Sequence, residues 1–83
     1  MINEIRQILK EHGRLAADAS HLAEEADLYQ AGMTSHASVN VMLALEAQFD
    51  VEFPDAMLKR GVFASISTIR DALQSLTTAR AEP

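Results

Sequence analysis

Ser35 and His36 stand side by side, and a hydroxyl beside an imidazole is the first pair in this chain whose chemistry needs deciding. Nucleophilic catalysis would require His36 to take the serine proton, a carboxylate to orient the ring, and donors for the developing oxyanion. Adjacent residues on a helix point about 100° apart, so His36 is poorly aimed at Ser35. No catalytic residue is assigned, and the chain is not read as an enzyme. His12 and His21 have no metal-ligand spacing with His36, so no metal site is assigned either. The chain contains no Cys, which removes thiolate nucleophiles, disulfides and sulfur ligands of its own.

Two readings of Ser35 remain open on residue type and position. Thr34 and Ser35 both suit the start of a helix, where a hydroxyl oxygen accepts an orphan backbone N–H. The same helix end, with its free N–H groups and positive dipole, also favours an anion. A phosphodiester esterified to Ser35 would be stabilised there.

The elements that would position this residue are helical. Ile2, Ile5, Ile8, Leu9 and Leu15 recur at three- and four-residue intervals, with Asn3 as an expected cap and Gly13 near the end. A second helix is predicted from Thr34-Ser35 to Phe49 or Asp50, and a last one from about Ser65 with Ile66, Ile69, Leu73 and Leu76 on one face. Pro54 marks a break, with a short turn from Pro54 to Lys59. No segment alternates with period two, so the expectation is an all-α bundle. The long connection from Asp18 to Thr34 needs internal anchors. Leu22, Leu28, Tyr29 and Met33 can supply them, with a helical turn around Leu22 to Ala26. Eighty-three residues predict one domain spanning 1–83, with a frayed tail from Ala79 to Pro83.

The second helix has two apolar faces. Ser38, Val41, Met42, Leu45 and Phe49 form one stripe at 100° per residue; His36, Val39, Leu43, Glu46 and Asp50 lie opposite. A bundle this small does not readily cover both. The second face is a candidate partner-binding surface that begins one residue after Ser35.

Charge narrows the partners. The chain has 7 Lys+Arg against 12 Asp+Glu, a formal net charge of -5. From Ser35 to Leu58 the only charged residues are Glu46, Asp50, Glu52 and Asp55, whereas the later stretch carries Lys59, Arg60, Arg70 and Arg80. An acidic middle argues against nucleic acid, which needs clustered cations. No apolar run approaches the roughly eighteen residues of a membrane span. Met1-Ile2-Asn3-Glu4 lacks the basic start of a secretory signal. A cytoplasmic protein is expected.

The stretch Asp27-Leu28-Tyr29-Gln30-Ala31-Gly32-Met33-Thr34-Ser35-His36 resembles the modification site of acyl carrier proteins. Met42-Leu43-Ala44-Leu45-Glu46 and Phe49-Asp50-Val51-Glu52-Phe53-Pro54-Asp55 are similar to that family's helix end and following loop. The resemblance implies a small acyl-carrier-like four-helix bundle, three main helices plus one short one. It implies 4'-phosphopantetheine on Ser35, attached from coenzyme A by a phosphopantetheinyl transferase, with cargo held as a thioester. It also implies that the second helix recognises partners, among them an acceptor enzyme downstream.

Departures from the family pattern refine this. Thr34 stands where Asp is usual before the serine, and His36 where Leu is usual after it. Ala37 and Asn40 replace acids early in the second helix. In its Gly-Met-Thr-Ser-His site the chain resembles the stand-alone aminoacyl carrier proteins of bacteria, which are charged by amino acid:[carrier protein] ligases resembling seryl-tRNA synthetase. The alternatives are a specialised acyl carrier of fatty-acid, lipid or secondary-metabolite synthesis and, more remotely, a helical adaptor with Ser35 only a cap.

Overall fold

Ile5, Ile8 and Leu9 occupy one side of a helix, and burying that side needs apolar faces opposite it. The computed structural model, which describes residues 1–16 and 18–81, supplies them from two further helices. α1 spans Ile2–His12, α2 Ser35–Phe49 and α3 Ile66–Ala81, and α1 packs against both others. Ile5, Leu9, Leu28, Val41, Leu45, Ile66, Ile69 and Leu73 are fully enclosed at the centre. No strand occurs among the described residues, and no helix there is long and apolar enough to cross a membrane.

The expected short fourth helix is two 3₁₀ turns, Asp55–Met57 and Arg60–Phe63. Their bonds run three residues back, from Met57 N–H to Pro54 O at 2.8 Å and from Val62 N–H to Lys59 O at 3.0 Å. Phe63 anchors the segment, edge-on to Phe53 with ring centroids 5.3 Å apart.

One expected cap changes. Asn3 lies inside α1 and does not cap it, because Ile5 N–H already bonds Met1 O and the helix begins at Ile2. The turn expected at Leu22 to Ala26 is present, closed by Ala26 N–H to Ala23 O at 3.1 Å. The 3₁₀ helix forms earlier, at Ala19–His21, because the Asp18 carboxylate accepts Ser20 N–H at 2.9 Å. That bond holds the Asp18 carboxyl below its usual pKa. α3 is described to Ala81, and the end of the expected tail, Glu82 and Pro83, lies outside the described residues.

The long connection is tied down as its length demanded. Leu28 and Met33 are buried, with Leu22 and Tyr29 half-buried. Leu28 N–H bonds Ala64 O at 2.7 Å and Ser67 N–H bonds Glu24 O at 2.9 Å. Arg6 Nη1 donates to Ala19 O and Leu22 O at 2.6 and 2.7 Å, from a half-buried position on α1. Arg6→Ala is therefore expected to cost about 2–3 kcal/mol, since charge-assisted bonds to half-buried carbonyls are lost. Urea denaturation measures this. Amide exchange should accelerate most in residues 19–22, and uniform acceleration over α1 would contradict the clamp.

α3 starts with a reciprocal cap. Thr68 N–H bonds Ser65 Oγ at 3.2 Å, and Ser65 N–H bonds Thr68 Oγ1 at 3.1 Å.

Candidate functional site

Gly32 is the residue that turns the connection toward α2. Its φ is +119°, which side-chain-bearing residues rarely adopt, and a Cβ there would lie 3.1 Å from Ala16 N. Ala16 N–H in turn bonds Ala31 O at 2.8 Å. Met33 is buried just beyond, so the chain enters α2 from a fixed point.

Thr34, in an extended conformation, caps α2: its Oγ1 accepts Ala37 N–H at 3.0 Å. The cap role considered for Ser35 is thus taken by its neighbour. Ser35 is exposed at the first helical position, and its hydroxyl makes no hydrogen bond among the described residues. Its carbonyl accepts Ser38 Oγ at 2.7 Å. The first turn of α2 carries no acid, so nothing there offsets the positive helix end. A free hydroxyl facing solvent at an anion-favouring helix end is suited to carry a phosphodiester.

The two faces of α2 separate as the periodicity required. Ala37, Val41 and Leu45 are buried; Met42 and Phe49 are half-buried beside them. Val39 and Leu43 are 49% and 54% exposed, a large fraction for apolar side chains one turn apart. His36 is exposed next to Ser35. Glu46 differs from its neighbours, being half-buried, with Oε2 accepting Phe53 N–H at 2.9 Å. Its carbonyl accepts Asp50 N–H and Val51 N–H, ending the helix where Asp50 turns left-handed at φ 53°. The acidic end of this face is therefore part of the helix stop as well as of the surface. His12 and His21 stand on other elements, beside Glu11 and Asp18.

A groove of about 360 Å³ opens beside Ser35, between α2 and the segment 58–63. Val39, Met42, Leu58 and Phe63 give it apolar walls, and Lys59 and Arg60 are its cations. Leu58, Lys59 and Arg60 were missed as site residues. Their only sequence signal was the change of charge sign after Leu58, and fifteen residues separate Leu58 from the nearest groove position on α2 at Met42, by way of a proline turn whose path spacing alone does not specify.

The family described as "Phosphopantetheine attachment site" matches residues 3–76. The chain is 50% identical over 70 residues to an aminoacyl carrier protein of Agrobacterium fabrum, covering 84% of each sequence. It is 36% identical over 70 residues to aminoacyl carrier protein 1 of Bradyrhizobium diazoefficiens, covering 81% of this chain and 74% of that one. Among solved structures it superposes with TM-score 0.87 and 49% identity on a chain from the crystal structure of an engineered Bradyrhizobium japonicum glycine:[carrier protein] ligase complexed with a carrier protein from Agrobacterium tumefaciens and AMP, over 89% of this chain and 99% of that chain. A solution structure from Agrobacterium tumefaciens matches over the full length of both chains, with TM-score 0.77 and 43% identity.

Proposed function

This chain belongs to the phosphopantetheine-attachment family of carrier proteins, and we propose that Ser35 bears the arm and that its cargo is an amino acid. The carrying observation is the division of labour at α2: Thr34 caps the helix, which leaves the Ser35 hydroxyl exposed and unengaged. The residues fit the group. The hydroxyl supplies the ester oxygen, the positive helix end suits the phosphodiester, and the adjoining groove carries two cations and no acid. The arm brings the thiol that this chain lacks and holds cargo on it as a thioester.

The aminoacyl cargo rests on relatives named as aminoacyl carriers and on the neighbour crystallised with a glycine:[carrier protein] ligase. The loading partner is then an amino acid:[carrier protein] ligase, after a phosphopantetheinyl transferase has acted and before an acceptor enzyme collects the cargo. The chain is a single carrier domain working in the cytoplasm. Incubation with coenzyme A and a transferase, then with glycine, ATP and such a ligase, tests this. Intact mass should rise in two steps, and hydroxylamine should reverse only the second. A first step without a second, with every amino acid tried, would remove the aminoacyl assignment.

His36, Val39, Leu43, Glu46 and Asp50 form the face that meets the ligase. Fully burying a leucine is worth about 1.5–3 kcal/mol, so Leu43→Asp is expected to lower loading efficiency by roughly 10- to 100-fold. The protein should stay folded, because Leu43 is already half in water. Glu46→Gln keeps an oxygen to accept Phe53 N–H, so its effect should be smaller, salt-dependent and confined to the association rate. Unchanged loading of folded Leu43→Asp would place the ligase on another surface.

A further inference from the structure

The cations of this acidic chain divide into those its own structure uses and those it leaves free. Arg6 is held by two carbonyls, Arg70 by Glu24 and Asp71, and Lys10 stands in the field of Asp18. Arg14, Lys59 and Arg60 are exposed and form no ion pair among the described residues. These three lie around one turn, residues 29–32, which delivers the chain to Ser35. The Arg60 guanidinium carbon lies 3.9 Å from the centroid of the Tyr29 ring, and Lys59 lines the same groove as Ser35. Arg14 O would lie 3.6 Å from a Cβ at Gly32, so the Arg14 backbone abuts the other end of the turn. Arg14 also takes a φ of 54°, a left-handed conformation that a residue with a side chain holds at some cost. The acid preceding the turn, Asp27, accepts Tyr29 N–H and Gln30 N–H and forms no ion pair with them. Beside the cations Leu58 is 47% exposed, and a Cβ at Gly61 would meet no atom within 4 Å. Packing within the chain thus explains neither the exposed leucine nor the glycine.

An arm esterified to Ser35 must enter the loading enzyme, so whatever surrounds Ser35 lies opposite the entrance to that enzyme's active site. We propose that Arg14, Lys59 and Arg60 form a cationic rim that docks on acidic side chains around the entrance of the loading ligase, with Leu58 as an apolar contact beside them. The proposal rests on the aminoacyl reading and adds a second contact to the face carrying Val39 and Leu43. Cations near Ser35 and the acids Glu46 and Asp50 at the far end of α2 together fix which way round the carrier docks.

The test uses the arm-bearing chain, verified by intact mass, with the glycine:[carrier protein] ligase, and reads kcat/KM for glycine loading against salt. The parent's value should fall as salt rises from about 0.05 to 0.5 M, because exposed charges are then screened. Lys59→Gln/Arg60→Gln should lower it by about tenfold at low salt, chiefly through KM, and the deficit should close at high salt. Gln74→Glu/Ser75→Glu, at exposed positions of α3, makes the same change in net charge and should alter loading by less than about twofold. Arg14→Gly removes one cation at a φ that glycine adopts freely, and should slow loading by roughly threefold. Gly61→Leu adds a side chain in open space and should slow loading while circular dichroism stays native. Parent loading indifferent to salt, a double variant no slower than the α3 control, or Gly61→Leu loaded at the parent's rate would overturn the proposal and leave the aminoacyl cargo in place. An arm-bearing parent that accepts no amino acid would instead overturn the aminoacyl reading, and this inference with it.

Discussion

Ser35→Ala is expected to gain no mass from coenzyme A and a transferase, and therefore to accept no amino acid afterwards. The loss should be complete, because the variant removes the one oxygen to which the arm can be esterified at this position. It should also be clean. The Ser35 hydroxyl makes no hydrogen bond among the described residues, so stability should change by no more than about 0.5 kcal/mol. Thr34→Ala is the contrasting variant: it removes the cap on Ala37 N–H and should cost about 1 kcal/mol, while modification still proceeds. The two neighbouring hydroxyls thus separate by experiment, one affecting chemistry and the other stability. Mass spectrometry and urea denaturation on both variants decide. Persistent modification of Ser35→Ala would refute the attachment site, and a Ser35→Ala protein as destabilised as Thr34→Ala would return the serine to a structural role.

The second large effect is in the core. Leu45 is fully buried on α2, whereas Leu43, two residues earlier, is 54% exposed. Leu45→Ala should cost about 2–5 kcal/mol in transfer and cavity terms. A domain of 83 residues has only about 4–12 kcal/mol in total at typical values per residue. The midpoint should therefore fall by roughly 10 °C or more, at about 4–8 °C per kcal/mol for a domain this size. Leu43→Ala should shift it little. Phe49, on the inward stripe by periodicity, is only half-buried and should fall between the two. Denaturation that ranked Leu43 above Leu45 would mean that the helix faces the core differently in solution.

This contrast also locates what was legible before folding. A period of 3.6 residues dictates that Val41 and Leu45 share a side and that Val39 and Leu43 lie elsewhere, because backbone geometry fixes side-chain direction within a helix. Caps are similarly local. Thr34 announced the start of α2, and Ser65 that of α3, because the bonds they make span three residues. Locality failed at Asn3, where Ile5 N–H bonds Met1 O and α1 begins at Ile2, ahead of the expected cap.

The sequence by itself determined the helices, the acidic balance, the absence of a thiol and the motif around Ser35, since each depends on residue type and short spacing. Tertiary structure decided which hydroxyl caps α2, because Thr34 and Ser35 are equally able and only the turn at Gly32 and the buried Met33 set which one faces Ala37 N–H. It decided that Glu46 spends its carboxylate on Phe53 N–H, a contact across seven residues and a helix stop. It also brought Lys59 and Arg60 alongside Ser35. That approach depends on Phe63 packing against Phe53 and on Arg60 stacking on Tyr29, two contacts between segments whose separation along the chain carries no record of their meeting.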